Sequence, residues 1–393
     1  MKILHAIQSL SPADGGPPQA VRNLMRAFPS LGVQAEVLCL DEPDADFLQD
    51  VTAPVHALGG RRSRFGYTRA VPEWLRMHVA RFDAIVVHGI WSYTNLAVHR
   101  VAWEFDRPYA IFPHGALDPW FNKRYPLKKL KKQIFWHWQY PVLRDAKAIL
   151  FTSETERDLA ATSFSPHRWN AMPVPYGAME PDGDAMTHAA AWFERMPELL
   201  PNGQPLRYLL FLARIHEKKG CDLLLEAFAR VAKNAPDLHL VIAGPDQVGL
   251  QAKLQQHAAA VGIAGRVHWP GMLRGDVKWG ALRSCEAFVL PSHQENFGIA
   301  VAEALACGRP VLISNQVNIW QDIVADQTGL VAEDTLAGTQ KLLEDWLALT
   351  ENQRAAYAAR ALPSFRKRYS MHETARAIRQ LFSGEAATES AGR

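Results

Sequence analysis

Short continuous runs of Val, Ile, Leu and Ala recur along the chain, and the stretches between them return an apolar residue every three or four positions. Unbroken apolar runs mark strands buried on both faces, and the 3.6-residue period marks the helices that cover them. The pattern therefore predicts parallel sheets flanked by helices. Strands are expected at residues 2–7, 34–40, 84–88, 109–113 and 148–152 in the first half, and at 207–213, 238–243, 266–269, 287–291 and 310–314 in the second. Residues 176–204, rich in Pro, Gly, Asp and Ala around one helical stretch, read as a linker. The expected fold class is α/β, with two Rossmann-like domains and a ligand site where the C-terminal ends of the two sheets face each other.

The length of 393 residues agrees with two domains of ordinary size. A hydrophobic fraction of 48% and a charged fraction of 21% are those of a packed globular protein, and no apolar run is long enough to span a bilayer. The start, Met1-Lys2-Ile3-Leu4-His5-Ala6-Ile7, is too soon interrupted by polar residues for a signal peptide and reads as a strand. Cys39, Cys221, Cys285 and Cys307 are widely spaced and form no C-x-x-C pair, which fits buried thiols in a reducing compartment, hence the cytoplasm. A net charge of +3 is too mild to argue for nucleic acid, so no nucleic-acid partner is expected.

Candidate chemistry begins after the first strand. Gly15-Gly16-Pro17-Pro18 opens a helix with Ala20, Val21, Leu24, Met25 and Phe28 on one face. A glycine pair at such a turn lets the backbone approach an anion at the helix start, although a plain turn has the same spelling. It is not G-x-G-x-x-G, and no acidic residue clearly ends a second strand, which disfavours a nicotinamide cofactor.

In the second half, a strand ends in Arg214 and Lys219 precedes an apolar helix. Two cations converging at a strand end can clamp a diphosphate, or they belong to a solvated charged loop. Farther on, Pro291-Ser292-His293-Gln294-Glu295-Asn296-Phe297-Gly298 leads into an apolar helix that carries Glu303. The N–H groups of Asn296, Phe297 and Gly298 would face phosphate or sugar oxygens, and Glu303 could accept hydrogen bonds from a ribose diol. Two carboxylates amid Ile299, Val301, Ala302 and Leu305 call for a reason, because burying charge is costly.

The run from Glu295 to Glu303, with Arg214 and Lys219 upstream, resembles the Glu-x7-Glu signature of the family 4 glycosyltransferases. The resemblance covers nearly the whole chain, through Gly15-Gly16, Val87-His88-Gly89, Pro113-His114-Gly115 and Val174-Pro175-Tyr176-Gly177. It implies a GT-B fold with an acceptor domain at 1–180, a nucleotide-sugar donor domain at 205–364 and a helix at 365–383 crossing back to the first domain. It implies retaining transfer of a hexose-type sugar from a UDP-, GDP- or ADP-sugar, without metal or other cofactor, the leaving phosphate itself accepting the acceptor's proton. By matching position, Arg214 and Lys219 would neutralise the diphosphate, Glu303 would hold the ribose, Glu295 the transferred sugar, and His114 would face that sugar from the other domain. Asn296 stands where glycine is common in the family and Tyr176 where asparagine is common. The loop 271–275 would meet the base. Asp118 is either an acceptor contact or a helix N-cap.

Asp44-Ala45-Asp46 and Asp182-Gly183-Asp184 spell D-x-D, but both lie in polar loops away from the proposed site, so no metal is expected. A glycoside hydrolase using Glu295 and Glu303 would have no use for a diphosphate clamp. A sugar-nucleotide epimerase and a non-catalytic nucleotide-sugar binding protein are the remaining alternatives.

Between Phe121 and Lys147 eight basic residues, Lys123, Arg124, Lys128, Lys129, Lys131, Lys132, Arg144 and Lys147, face one acid, Asp145, and are interleaved with Tyr125, Phe135, Trp136, Trp138 and Tyr140. This is either a segment that docks on anionic lipid or a solvated helix whose aromatics pack inward. Arg61, Arg62, Arg64, Phe65 and Arg69 form a second basic cluster. The run from His114 through the lysines resembles the bacterial subgroup that builds surface polysaccharides and lipopolysaccharide. That implies a glycolipid or oligosaccharide acceptor, and peripheral attachment to the anionic cytoplasmic face of the inner membrane.

Overall fold

The computed structural model describes residues 1–60, 63, 65–124 and 126–384. Arg61, Arg62, Arg64, Tyr125 and the tail from residue 385 lie outside the described residues, as do the side chains of Lys123, Arg124 and Lys128. The chain divides into two compact units, one of Met1–Gly177 together with the helix Met371–Ser383, the other of Ala178–Tyr369.

Unit 1 holds seven strands, β1 (Lys2–Ile7), β2 (Gln34–Cys39), β3 (Val55–Ala57), β4 (Ala84–His88), β5 (Tyr109–Phe112), β6 (Ala148–Phe151) and β7 (Ala171–Pro173). Every pairing is parallel, in the order β3-β2-β1-β4-β5-β6-β7. The inner strands are apolar on both faces because helices cover both, and Leu4, Leu38, Ile85, Val87, Ile111 and Ile149 build the core on one side. The helix Gly16–Ala27 turns Ala20, Val21, Leu24 and Met25 inward. Against it packs Met371–Ser383, whose Met371, Ala375 and Ile378 are buried. The returning last helix thus belongs to the first unit.

Unit 2 holds β8 (Arg207–Leu212), β9 (Leu238–Ala243), β10 (Val267–Gly271), β11 (Ala287–Leu290), β12 (Val311–Ser314) and β13 (Gly329–Ala332), all parallel, in the order β10-β9-β8-β11-β12-β13. In both sheets the order reverses once, between β1 and β4 and between β8 and β11. At such a switch point neighbouring loops leave in opposite directions and open a crevice at the C-terminal strand ends.

Part of the segment expected to be a linker is instead built into unit 2. Its helix Ala185–Arg195 packs along the helix Gly275–Ser284 and buries Trp192 completely. The approach is close because Gly280 has no side chain: a Cβ there would overlap the carbonyl oxygen of His188. The strands β3, β7 and β13 go beyond those expected, and the predicted strands at 34–40, 109–113, 148–152, 207–213, 266–269, 287–291 and 310–314 differ by one or two residues at their ends.

Candidate active site

The switch point of unit 2 is where the second-half motif comes together. The loop after β8 ends in a short turn, Glu217–Lys219, and Gly220, whose φ is +68°. A Cβ on Gly220 would overlap the carbonyl oxygen of Pro291, so glycine allows this loop to lie directly on the chain leaving β11. Two further bonds latch the loops: Ser292 Oγ donates to the Lys218 carbonyl at 3.0 Å, and the backbone N–H of His293 donates to the same oxygen at 2.9 Å. Gly244, after β9, likewise lies against the Ala213 carbonyl with no room for a Cβ.

These constraints bring the buried Lys219 ammonium onto the Glu295 carboxylate as a salt bridge. Burial alone would raise the Glu295 carboxyl, but the Lys219 charge and hydrogen bond, helped by Lys218 and Arg214, hold it below the usual carboxylate range. The Glu295 backbone is fixed from the other side, its N–H donating to Gln316 O at 3.0 Å and its carbonyl accepting from Asn318 N at 3.1 Å. Arg214 Nη1 donates to Gln247 Oε1 at 3.4 Å. Asn296 and Phe297 then lead to Gly298, with φ +77°, which caps the helix Ile299–Ala306.

Glu303 occupies the second turn of that helix and is buried. Its partner is a residue that sequence reading did not single out. Lys278, on the helix Gly275–Ser284, places its Nζ 2.7 Å from Glu303 Oε1 and 4.0 Å from the centroid of the Trp279 ring. In the sequence, Lys278 is one more cation on a polar helix face, and its role emerges only when the two helices are packed.

In unit 1 the glycine turn follows β1 as expected. Gly15 has φ 87° and ψ −135°, a region open to glycine, and caps the helix that Gly16, Pro17 and Pro18 begin. The loop before it is held by residues that no motif in the sequence marks. Asp41 accepts from Ser9 Oγ and from the Leu10 N–H, both at 2.6 Å, and Arg22 donates to the carbonyls of Leu10 and Phe47.

His114 follows β5 with φ 52°, and the next N–H, of Gly115, donates to the buried Glu156 carboxylate at 2.7 Å. The His114 imidazole meets His88 through Nε2 at 3.1 Å and the Tyr176 hydroxyl through Nδ1 at 3.4 Å. Asp118 Oδ1 accepts from the Trp120 N–H at 2.8 Å, the geometry of an N-cap at the helix Pro119–Arg124. Asp184 does the same for Ala185–Arg195, accepting from Met186 and Thr187, while Asp46 opens a short 3-10 turn.

The basic aromatic segment forms the helices Pro119–Arg124 and Pro126–Arg144. Trp136 packs inward, and Lys132 stands over the Trp91 ring at 4.9 Å. Leu127, Leu130, Ile134 and Trp138 nevertheless face outward at 57–79% exposure, beside exposed Lys129 and Lys131. Phe65, from the second basic cluster, reaches this helix with its ring centroid 5.6 Å from that of Phe135.

With this geometry in view, two family models match successive parts of the chain: "Glycosyl transferase 4-like domain" over residues 15–177, and "Glycosyl transferases group 1" over 194–361. A D-inositol 3-phosphate glycosyltransferase of Geodermatophilus obscurus is 39% identical over 111 residues, 26% of this chain and 25% of the relative. A GDP-mannose:cellobiosyl-diphosphopolyprenol alpha-mannosyltransferase of Xanthomonas oryzae pv. oryzae is 24% identical over 80% of this chain and 79% of the relative. The chain thus spans a quarter of the length of the first of these curated relatives. Among solved structures, Anabaena Alr3699/HepE in complex with UDP and glucose superposes with a TM-score of 0.77 at 17% identity, covering 98% of this chain and 100% of that one. At that identity the likeness is one of fold.

Proposed function

Since the chain belongs to the family 4 glycosyltransferases, built as the GT-B pair of parallel-sheet units, we propose that it transfers a hexose-type sugar from a nucleotide diphosphate sugar to a lipid-linked or saccharide acceptor, with retention and without a metal. The observation that carries this reading is the switch point of unit 2, where Lys219, Glu295 and Arg214 converge after β8 and β11 and Glu303 waits on the following helix. Lys219 and Arg214 neutralise the diphosphate, whose negative charge grows as the glycosidic bond breaks. They supply the charge that a metal ion supplies in D-x-D transferases. Glu303 accepts from the ribose hydroxyls and Glu295 from those of the sugar, while Lys219 keeps Glu295 ionised. His114 meets the transferred sugar, and the leaving phosphate takes the acceptor's proton.

The acceptor side rests on the helix Pro126–Arg144. Exposed Leu127, Leu130, Ile134 and Trp138 flanked by Lys129 and Lys131 suit an anionic lipid surface, the apolar side chains entering the interface and the lysines meeting head groups. No described helix is long and apolar enough to cross a membrane. The Xanthomonas relative, whose name specifies a cellobiosyl-diphosphopolyprenol acceptor, supports a lipid diphosphate acceptor. The place proposed with it is surface polysaccharide synthesis at the cytoplasmic face of the membrane.

Calorimetric titration of UDP, GDP and ADP in EDTA tests the donor site. One nucleotide should bind wild type and bind Glu303→Ala at least about tenfold more weakly. Equal binding to both proteins would remove Glu303 from the site.

A further inference from the structure

Three imidazoles climb the sheet of unit 1 in steps. His5 lies on β1, opposite Val86 of β4, and His88 lies two residues beyond Val86. His88 in turn faces Phe112 of β5, and His114 lies two residues beyond Phe112. Residues two apart on a strand share a face, which keeps His5 and His88 on one side of the sheet, and His114, just past the end of β5, continues the line through its contact with His88. His5 Nδ1 is 2.9 Å from His88 Nε2, His88 Nδ1 is 3.1 Å from His114 Nε2, and His114 Nδ1 is 3.4 Å from the Tyr176 hydroxyl. Ring centroids 5.2 and 5.3 Å apart, with planes tilted by only 28° and 16°, are those of imidazoles bonded edge to edge.

All three rings are neutral, since burial lowers His5 and His114 to about 3 and drives His88 well below its usual value, the neighbouring imidazoles adding to the effect. A neutral imidazole carries one proton, so it donates at one nitrogen and accepts at the other. The file of rings can therefore run in only two senses. In one, each Nδ1–H donates to the next ring towards His114. In the other, each Nε2–H donates back, and His5 is left with its proton on Nε2.

That nitrogen decides between them. His5 is fully buried, and its Nε2 has no hydrogen-bond partner among the described residues. An unpartnered buried N–H is rarer and costlier than an unpartnered lone pair. His5 Nε2 is then the bare end, and the sense runs outward. We propose that His5 and His88 are positioning residues that fix the proton of His114 on Nδ1, making its outer edge a hydrogen-bond donor. The proposal rests on the reading above, in which His114 meets the transferred sugar. On that reading the Nδ1–H, which meets the Tyr176 hydroxyl at 3.4 Å, is the donor offered to a sugar oxygen. Selectivity follows: a donor whose hydroxyl at that point is replaced by hydrogen loses the bond.

Long-range 1H–15N correlation of the full chain labelled with 15N-histidine, recorded without nucleotide, reads the tautomers directly. His5, His88 and His114 should all carry the proton on Nδ1. His5→Asn places a side-chain N–H where Nδ1 was and should preserve the His114 signals, whereas His5→Phe removes the donor and should introduce the second tautomer at His88 and His114. In turnover assays His5→Phe should lower kcat about tenfold, less than the roughly hundredfold loss for deleting an aimed donor outright, with little change in donor KM, and His5→Asn should recover most of it. An Nε2–H tautomer at His114 in wild type, or unchanged His114 signals in a folded His5→Phe, overturns the relay. The wild-type spectrum needs neither a folded variant nor any substrate, so the relay stands or falls independently of the transferase reading. Expected tautomers in a protein that turns over no nucleotide sugar would support the relay and overturn that reading instead.

Discussion

Lys278 Nζ lies 2.7 Å from Glu303 Oε1, an ion pair between side chains that are 18% and 7% exposed. Two helices separated in the sequence by the strand β11 thus share one buried charge pair. Oε1 is taken by the lysine, and the carboxylate keeps further acceptor capacity, which the proposed function assigns to a ribose diol. Lys278 both permits Glu303 to be buried and orients it.

Lys278→Met should leave the Glu303 carboxylate buried without its cation and destabilise the protein by up to about 3 kcal/mol, the lower end of what breaking a buried pair costs. Urea unfolding should show a lower midpoint with an unchanged slope. Lys278→Met with Glu303→Gln removes both charges and should recover part of the loss. A midpoint equal to wild type for the single variant would contradict the pairing.

Gly220→Ala tests how Lys219 is placed. The added Cβ would meet the Pro291 carbonyl in a backbone region that side chains rarely adopt, so strain of about 1–3 kcal/mol is expected together with displacement of Lys219 from Glu295. Gly262→Ala is the control: its φ is also positive, but nothing lies within 4 Å of the new Cβ and it is not among the site residues. Thermal melts should fall in both. Only Gly220→Ala should lose nucleotide affinity by more than the fold loses stability.

Acid sensitivity should have a source at the β1–β2 end of unit 1. Lys2, His56 and Arg81 converge on Glu36 at 2.6–2.7 Å. Burial raises the Glu36 carboxyl, but these partners together hold it below the usual value. The unfolded chain therefore binds the proton more readily, and Glu36 contributes stability that is fully present above its unfolded pKa and is lost as the pH falls through the folded one. Between pH 6 and about 3, ranges set by ordinary carboxyl values, Glu36→Gln should flatten the fall in unfolding free energy. A parallel fall in both proteins would exclude Glu36.

Much of this architecture was legible in the sequence, for identifiable reasons. Strands such as 84–88 and 238–243 are buried on both faces and announce themselves as unbroken apolar runs. Val55–Ala57 and Ala171–Pro173 do not: they are three-residue edge strands with half-buried or exposed side chains. Leu40 was read as strand because it is apolar, yet its N–H turns to the Gln8 carbonyl. In 176–204 the helical stretch was visible, but the flanking Pro and Gly disguised its place: it is built into unit 2, where Trp192 is buried, rather than lying in a linker. At the site, the Glu295–Glu303 spacing and the Arg214 and Lys219 positions were visible as a motif, and the Lys219–Glu295 contact fits them. Lys278, Asp41 and the histidine file were invisible, because each depends on strand register or helix packing that joins residues far apart in the chain.

Membrane association should depend on the outer face of Pro126–Arg144. Leu130→Glu with Ile134→Glu changes two exposed side chains and should leave the melting temperature nearly unchanged, with about 0.5 kcal/mol or less per site. Flotation with vesicles containing anionic lipid should fall sharply. Reversing Lys129 and Lys131 to Glu should lower partitioning at least about tenfold, at roughly 1 kcal/mol for each basic residue lost, and added salt should narrow the difference. Flotation unaffected by either pair would refute the docking face.

The most direct test of the account is release of nucleoside diphosphate from a panel of UDP-, GDP- and ADP-sugars in EDTA, with and without bacterial lipid extract, for wild type and Lys219→Ala. The account expects one donor to be consumed by wild type, dependence on lipid, full rate in EDTA, and a loss of about 10²–10³ in kcat for Lys219→Ala, as for removal of a group aimed at transition-state charge. Turnover abolished by EDTA, or a Lys219→Ala variant as active as wild type, would contradict it.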